Sequence, residues 1–422
     1  MKQNNLLPPK LNNVIQSNQP CDSIVYLDYH SNISGGKCDL ILDFRLDKDL
    51  QNFASQFEGI KKDDVIGSYI HITGYTTSKR LMRGCYYQLN YLLLKRAKFR
   101  PITNSHLFIA EFEFTEEVLN EEYDELLLSH QPLDPTEMLW NGVQQVKTPN
   151  NQIRLTNLQL HVANVGQANW NELRRNGYTI VQYDMGAELH ATKQKVDAIY
   201  KAHAPKVDPN NKALLVISHW DMDHIHCLCC MSANEIQNTF YMVLCPDVIK
   251  SGTARRILGK LSNALSAANV HCVIPQYHVS RLQYQMHHLL QLNRRIHLYI
   301  GDNRRNINYS GIVMFVEGNT ASVNYTGDCL LSQADEVLQD VLNHGTNTTQ
   351  HILVAPHHGG ANPLPNMRYT TNRPISMTQV IISVGNGNSY GHPDPNMLSY
   401  LQNIANGRVM QTNTHGDITV NI

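Results

Sequence analysis

The residues best suited to chemistry lie in one heptapeptide, Ser218-His219-Trp220-Asp221-Met222-Asp223-His224. It sets two imidazoles and two carboxylates side by side, directly after the apolar run Ala213 to Ile217. A buried strand ending there would hold the loop rigid at its base while the loop turns its side chains toward one point. Carboxylates so close repel one another unless cations lie between them. Imidazole with carboxylate is a donor set for Zn²⁺, Mn²⁺ or iron. Taken alone, the heptapeptide could also be a polar surface loop. Three more groups share its form, however. Tyr325-Thr326-Gly327-Asp328 ends an apolar strand. Ala355-Pro356-His357-His358-Gly359-Gly360 follows Ile352 to Val354. Tyr390-Gly391-His392-Pro393 follows Ile381 to Val384 and a Gly/Asn-rich loop. A lone His after a strand is most often a satisfied polar residue, but strand ends at one edge of a sheet converge in space.

The elements that must position these groups follow from the pattern beyond residue 155. Strand-like runs at Leu158 to Val165, Tyr178 to Tyr183, Ala213 to Ile217, Tyr241 to Leu244, Gly311 to Val316, Ser322 to Tyr325, Ile352 to Val354 and Val380 to Ser383 alternate with helix candidates. The helix candidates are Thr192 to His203, Thr253 to Ala268, Ser332 to Asn343 and Asn396 to Ile404. Such alternation predicts layered α/β structure. Residues 1 to 150 read differently, with strand-like runs at Ser23 to Leu27 and Ser68 to Ile72 and a helix-like stretch from Tyr86 to Leu94. Residues 111 to 125 hold eight carboxylates and no Lys or Arg, the composition of a solvated helix face. Polar, Pro-containing passages near Gln131 to Pro135 and at Thr148-Pro149-Asn150-Asn151 suit a boundary. The expected organisation is therefore an N-terminal α+β domain over 1–150, a recognition or partner module, and a hydrolase domain over 151–422.

Composition narrows the setting. The 422 residues carry a formal charge of −1, so a nucleic-acid surface has to be local. The start, Met1-Lys2-Gln3-Asn4-Asn5, lacks the apolar core of a secretory signal, and no run approaches the ~18 apolar residues of a membrane span. Nine cysteines, an odd number, fit a reducing compartment rather than a disulfide framework. Cys227, Cys229 and Cys230 read as small buried hydrophobes. The expectation is a soluble, cytoplasmic protein without a membrane partner, its oligomeric state left open.

The order of the motifs resembles the metallo-β-lactamase superfamily over residues 155 to 422. His161-Val162-Ala163-Asn164-Val165-Gly166-Gln167-Ala168 and Tyr183-Asp184-Met185-Gly186 look like that family's opening strands and first motif. The set is most similar to the hydrolase domain of the bacterial competence DNA-uptake channel, and is also similar to the phosphorylcholine esterases. The resemblance implies an α/β fold, an αββα metallo-β-lactamase sandwich with the N-terminal α+β domain appended, and two divalent metal ions, Zn or Mn. It implies that His219 and Asp221 hold one metal, that Asp223, His224 and His358 hold the other, and that Asp328 bridges them. Asp184 would support the metal loop from outside the ligand set. His357 and His392 would face the scissile group, and Asp223 counts with them as catalytic. The choice between His357 and His358 as ligand stays open. The commoner family form has a His where Asp221 stands, and a further His that has no clear counterpart among His271, His278, His287, His288 and His297.

Two such metals activate water and offset the charge of a phosphoryl group. Residues 248 to 310 hold nine basic residues against one acid, Asp302, a local excess of eight. Arg255, Arg256, Arg294, Arg295, Arg304 and Arg305 are thus the candidate nucleic-acid contacts, with Tyr277, Tyr284 and Tyr299 interleaved to stack bases. The other reading of that segment is a solvated helix pair with core tyrosines. The expected function is a metal-dependent hydrolase of phosphate esters, a phosphodiesterase or nuclease acting on DNA or RNA, with a role as a bacterial defence or toxin effector. The alternatives are a hydrolase of a small ester, thioester or cyclic nucleotide, and an effector whose N-terminal domain binds a protein partner.

Overall fold

The computed structural model describes residues 22–32, 37–54, 69–76, 81, 85–94, 97–100, 108–113, 156–189, 191–273, 284–303, 306–344, 348–363, 376–388 and 390–422. The chain divides into two compact units. One is Met1–Met138 with Ala191–Lys195 and Lys250–Leu258; the other is Leu139–His190 with Val196–Ile249 and Gly259–Ile422.

The first unit contains β1 (Asp22–Asn32), β2 (Lys37–Phe44), β3 (Tyr69–Thr76), β4 (Tyr86–Asn90), β5 (Lys98–Arg100) and β6 (Phe108–Glu113). They form one sheet in the order β4-β1-β2-β3-β6-β5. Leu27, Leu40, Leu42, Ile70 and Ile72 make its core with Leu50 and Phe53 of the helix Asp47–Ala54. The stretch Tyr86 to Leu94, expected as a helix, is instead strand β4 followed by one helical turn, Tyr91–Leu94. The free edge of β1 supplies β4 with antiparallel partners from Asp22 to Tyr26, and a short apolar run has no period strong enough to resist that. The segment Lys250–Leu258 joins this unit through side chains. The Thr253 N–H donates to Asp43 Oδ2 at 2.7 Å, and Arg256 pairs with Asp43 at 3.1 Å and Asp47 at 3.3 Å. Composition alone carried no trace of this exchange across position 150. Of the acidic run, only Glu111 and Glu113 lie among the described residues, and they lie in β6 rather than on a helix.

The second unit holds two seven-stranded sheets. The first consists of β7 (Leu158–Val162), β8 (Asn171–Arg175), β9 (Tyr178–Tyr183), β10 (Ala213–Val216), β11 (Phe240–Pro246), β12 (Val270–Val273) and β20 (Ile418–Asn421). The second consists of β13 (Met286–Leu292), β14 (Ile296–Gly301), β15 (Ile312–Glu317), β16 (Ser322–Tyr325), β17 (Gln350–Val354), β18 (Ser376–Ile382) and β19 (Val409–Gln411). Their orders are β12-β11-β10-β9-β8-β7-β20 and β13-β14-β15-β16-β17-β18-β19. Strands β9 to β12 run parallel, as do β16 to β19.

Side chains alternate between the faces of a strand, so each sheet has an inner and an outer set. Leu160, Val181, Leu214 and Val216 of one sheet meet Leu298, Ile300, Met314, Val316 and Ile352 of the other in a shared core. Phe315, Val313, Leu353, Val380 and Ile382 point the opposite way, onto the helices Leu331–Asn343 and Pro395–Ile404. On the other side, Leu215, Val243 and Cys245 are buried too, and helices Lys193–His203 and Ala233–Thr239 bury Val196 and Ile236. The layer order is αββα, as the motif order led one to expect. Truncating one of these fully buried leucines to Ala would cost about 2–5 kcal/mol.

The basic stretch is not a helix pair. From Met286 to Gly301 it forms the hairpin β13–β14, turned at Asn293 and Arg294, both of which adopt positive φ. Leu290 and Leu292 are buried on one face with exposed Gln291 between them, and a register shift between His288 and Leu290 places Met286 in the other core cluster. Among the described residues no helix is long and apolar enough to cross a membrane.

Candidate metal centre

The parallel strands β9, β10, β16, β17 and β18 all end at the same edge of the sandwich, and each is followed by one of the singled-out motifs. Cross-sheet hydrogen bonds tie that edge together. The Tyr183 hydroxyl donates to Ile312 O at 2.6 Å, the Ile312 N–H to Ser218 O at 2.8 Å, and the Ser383 hydroxyl to Ala168 O at 2.6 Å. The motifs therefore meet on a rigid frame.

His219, His224 and Asp328 form one group able to hold a metal ion, and Asp223, His224 and His358 form a second. All but Asp223 are essentially buried. Asp328 lies within reach of both groups. Its Oδ1 is 3.1 Å from His224 Nε2 and 3.7 Å from His358 Nε2, and its Oδ2 is 3.9 Å from His219 Nε2. Asp223 Oδ2 is 3.3 Å from His358 Nε2. Asp221 Oδ2 stands 3.5 Å from His219 Nε2, beside the first group. His224 belongs to both groups, where the motif resemblance placed it in one.

The ring orientations are set from behind. Asp184 is fully buried and accepts three hydrogen bonds: from the Ser218 N–H at 2.7 Å, the Ser218 hydroxyl at 2.7 Å and His224 Nδ1–H at 2.8 Å. Because the Ser218 proton is committed to Asp184, its oxygen accepts from His219 Nδ1, 3.0 Å away. His358 Nδ1–H donates to Ser383 O at 2.8 Å. Each Nδ1 thus carries a proton, and each Nε2 faces the cluster. Nε2 of His219 and of His358 and Oδ1 of Asp328 are buried without a hydrogen bond of proper geometry. Buried polar atoms are rarely left so. Three of them converging with further carboxylates is what a divalent cation would satisfy, and the donor set of imidazole and carboxylate fits Zn²⁺ or Mn²⁺.

The charges agree with that fit. Burial alone would push the His224 imidazole down, but the carboxylates of Asp328, Asp184 and Asp223 outweigh it and hold it well above the usual range. Burial would likewise raise Asp328, yet His357 and His224 keep its carboxyl well below the usual range.

His357 and His358 follow one another at φ of 52° and 53°, and Asp184 sits at 60°. Backbone of this kind in residues other than glycine is strained and clusters at functional sites. The turn sends the two imidazoles different ways. His358 enters the cluster, whereas His357 is about a quarter exposed and reaches Asp328 Oδ2 with Nδ1 at 2.6 Å. His392 lies against His357 with ring centroids 5.2 Å apart, and Tyr390 stacks on His392. Burial, then His357 and His358, push the His392 imidazole down to about 4, so it is neutral at pH 7.

The remaining sequence candidates fall elsewhere. Arg294 and Arg295 lie in the β13–β14 turn, at the edge opposite the cluster, where Arg295 Nη1 donates to Asn319 Oδ1 at 2.7 Å. Arg256 is paired with Asp43 and Asp47 and, with Arg255, belongs to the first unit. Arg304, Arg305, Tyr277 and His278 lie outside the described residues. Tyr299 is buried, its hydroxyl donating to Asp340 at 2.8 Å, and so has no face to offer a base. None of His271, His287, His288 and His297 joins either metal group.

Sequence reading missed the supports: Ser218 as acceptor for His219, Ser383 O behind His358, and Asn388, which grips the His392 backbone from both sides. Only Asn388, in the noted Gly/Asn-rich loop, left a trace. It also missed Gly186. A Cβ there would lie 1.7 Å from Asp223 O and 2.9 Å from Asn169 O, while the neighbouring Met185 N–H donates to His224 O at 2.8 Å. Gly186→Ala is therefore expected to push the ligand loop outward, lowering stability by about 1–3 kcal/mol and lowering bound metal. Thermal unfolding and elemental analysis would check this; an unchanged midpoint and metal content would refute it.

No protein-family model and no curated protein matches the chain. Among solved structures it is similar to a metal-dependent hydrolase of the β-lactamase superfamily, with 10% identity and a TM-score of 0.40, covering 63% of this chain and 99% of that one. It is also similar to the short form of human tRNase Z, with 12% identity and a TM-score of 0.32, covering 60% of this chain and 91% of that one.

Proposed function

We propose that the second unit is a metal-dependent hydrolase of phosphodiester bonds that holds two divalent ions, Zn²⁺ or Mn²⁺, and acts on nucleic acid. The observation that carries this reading is the convergence of His219 Nε2, His358 Nε2 and Asp328 Oδ1, buried and without a hydrogen bond of proper geometry, at one edge of the sandwich. His219, Asp221, His224 and Asp328 would hold one ion, and Asp223, His224, Asp328 and His358 the other. Ions bound there would supply Lewis acidity to a phosphoryl oxygen and lower the pKa of a water toward neutrality. In hydrolysis a water oxygen bonds to phosphorus, the bond to the leaving oxygen breaks, and that oxygen takes up a proton.

The chain's own groups have distinct tasks. Asp184 and Ser383 O keep the imidazole lone pairs aimed inward. His357, tied to Asp328 and partly exposed, stands where it can pass a proton to the leaving oxygen. Neutral His392 serves as a hydrogen-bond donor to a phosphoryl oxygen. The described part of the first unit contributes to neither metal group, which supports its assignment as a recognition or partner module.

Elemental analysis after mild loading should return close to two metal ions per chain. A panel of single- and double-stranded DNA, RNA, bis(p-nitrophenyl) phosphate and cyclic nucleotides, with Mn²⁺ or Zn²⁺, should show metal-dependent cleavage that salt suppresses for the polymers. A chain that binds no metal would refute the reading. Cleavage confined to small esters would leave the hydrolase and remove the nucleic acid.

A further inference from the structure

Among the described residues only two large apolar side chains are exposed, Leu46 and Tyr284, and Tyr284 is the more so at 45%. Its position is not arbitrary. It lies two residues before β13, whose antiparallel pairing through β14 and β15 brings this end of the strand to the edge where the candidate metal ligands sit. Its ring stands edge-on to Tyr309, with centroids 5.5 Å apart and planes at 73°. Tyr309 in turn follows Asn308, whose side-chain amide is 3.5 Å from His357 Nδ1. Contacts therefore run unbroken from an exposed aromatic face to the group beside Asp328. A second aromatic pair, Tyr390 on His392, also packs against His357.

We propose that Tyr284, braced by Tyr309, is a stacking platform for an unpaired nucleobase, placed so that the neighbouring phosphate of the same strand reaches the metal cluster. This deepens, and rests on, the phosphodiesterase reading, and it makes single strands or frayed ends the substrate class. A tyrosine ring held edge-on by another keeps a flat face open to water, at a hydrophobic cost that a stacked base would relieve. Bases in an intact duplex are already stacked on one another and cannot use such a face. The tyrosine face gives affinity without reading a base, because every base has a π-face.

The test compares a labelled oligothymidylate with an abasic strand of the same length and charge, using the full chain in chelator so that nothing is cut. Fluorescence anisotropy should show the wild-type chain preferring the thymidylate about 5- to 100-fold. Tyr284→Ala should erase that preference and leave the abasic strand's affinity as it was, while Tyr284→Phe should keep it. Equal affinity of the wild type for both strands, no binding of either, or a preference that survives Tyr284→Ala would overturn the platform. Hydrolysis of bis(p-nitrophenyl) phosphate with Mn²⁺, measured on the same preparations, scores the chemistry separately. A chain that prefers bases but cleaves no phosphodiester keeps the platform and loses the proposed reaction. A chain that cleaves the small diester without base preference does the reverse.

Discussion

Asp328→Ala should lower phosphodiester turnover by about 10³-fold and leave less than one metal ion per chain where the wild type is expected to hold close to two. Among the described carboxylates Asp328 alone comes within 4 Å of Nε2 of His219, His224 and His358, so its loss takes a donor from the first group and a carboxylate from beside the second. It also removes the acceptor for His357 Nδ1, 2.6 Å away, and frees that imidazole to turn toward solvent. Losing a single preorganised donor from a transition-state site already costs about 10²–10³ in rate. A residue that is both ligand and anchor for a second functional imidazole belongs at the upper end. Asp328→Asn keeps the shape but not the charge and should fall between. Steady-state kinetics on a small activated diester, with metal counted on the same samples, decides the matter. If Asp328→Ala retained both metal and rate, the two groups would not share this carboxylate in any working state.

The second large effect is expected at a residue that touches no metal. Asp184→Ala would leave the Ser218 N–H, the Ser218 hydroxyl and His224 Nδ1–H without their acceptor in a fully buried place. Breaking a buried charged network from one side costs about 3–5 kcal/mol, because the remaining partners stay desolvated and unpaired. The released Ser218 no longer holds His219, so the aim of two of the ligand rings is lost together. Losing an outer partner of this kind typically weakens metal binding by about 10- to 100-fold. Asp184→Asn separates the two consequences. Asn tolerates the φ of 60° at this position and should fold more nearly as the wild type does. It still offers His224 an N–H in place of an acceptor half the time, so metal affinity should suffer. Denaturant unfolding of the metal-free chain, followed by metal titration, reads the two effects in turn. Wild-type values in both for Asp184→Ala would show that the network carries no weight.

Much of the second unit is legible in the residues. The helix candidates Ser332 to Asn343 and Asn396 to Ile404 differ from the observed helices by one residue, and Tyr178 to Tyr183 and Ser322 to Tyr325 coincide with β9 and β16. These segments have clear hydrophobic periods and definite ends; Asp394, for example, caps its helix by accepting from the Asn396 and Met397 N–H groups. β8, β12, β13, β14, β19 and β20 escaped notice. In β13, His287, His288, Leu289 and Gln291 interrupt the apolar alternation, and β19 and β20 are three- and four-residue strands that only their neighbours make into strands.

The sequence by itself determined which motifs could carry ligands and that each follows a strand, while the particular set His219, Asp221, Asp223, His224, Asp328 and His358 came from the family resemblance of those motifs. It could do so because a short polar motif after an apolar run is a local signal, complete within a dozen residues. Only the tertiary structure put His224 in both groups and turned His357 outward while His358 turns in. Only it separated the arginines from the cluster, sending Arg256 to Asp43 and Arg294 to the opposite edge, and only it left Tyr284 with an open face beside the site. Each of these depends on residues far apart in the chain. Asp184 meets Ser218, and β13 reaches the site edge through β14 and β15, because strand pairing and core packing, which act over long range, choose the neighbours that local composition cannot.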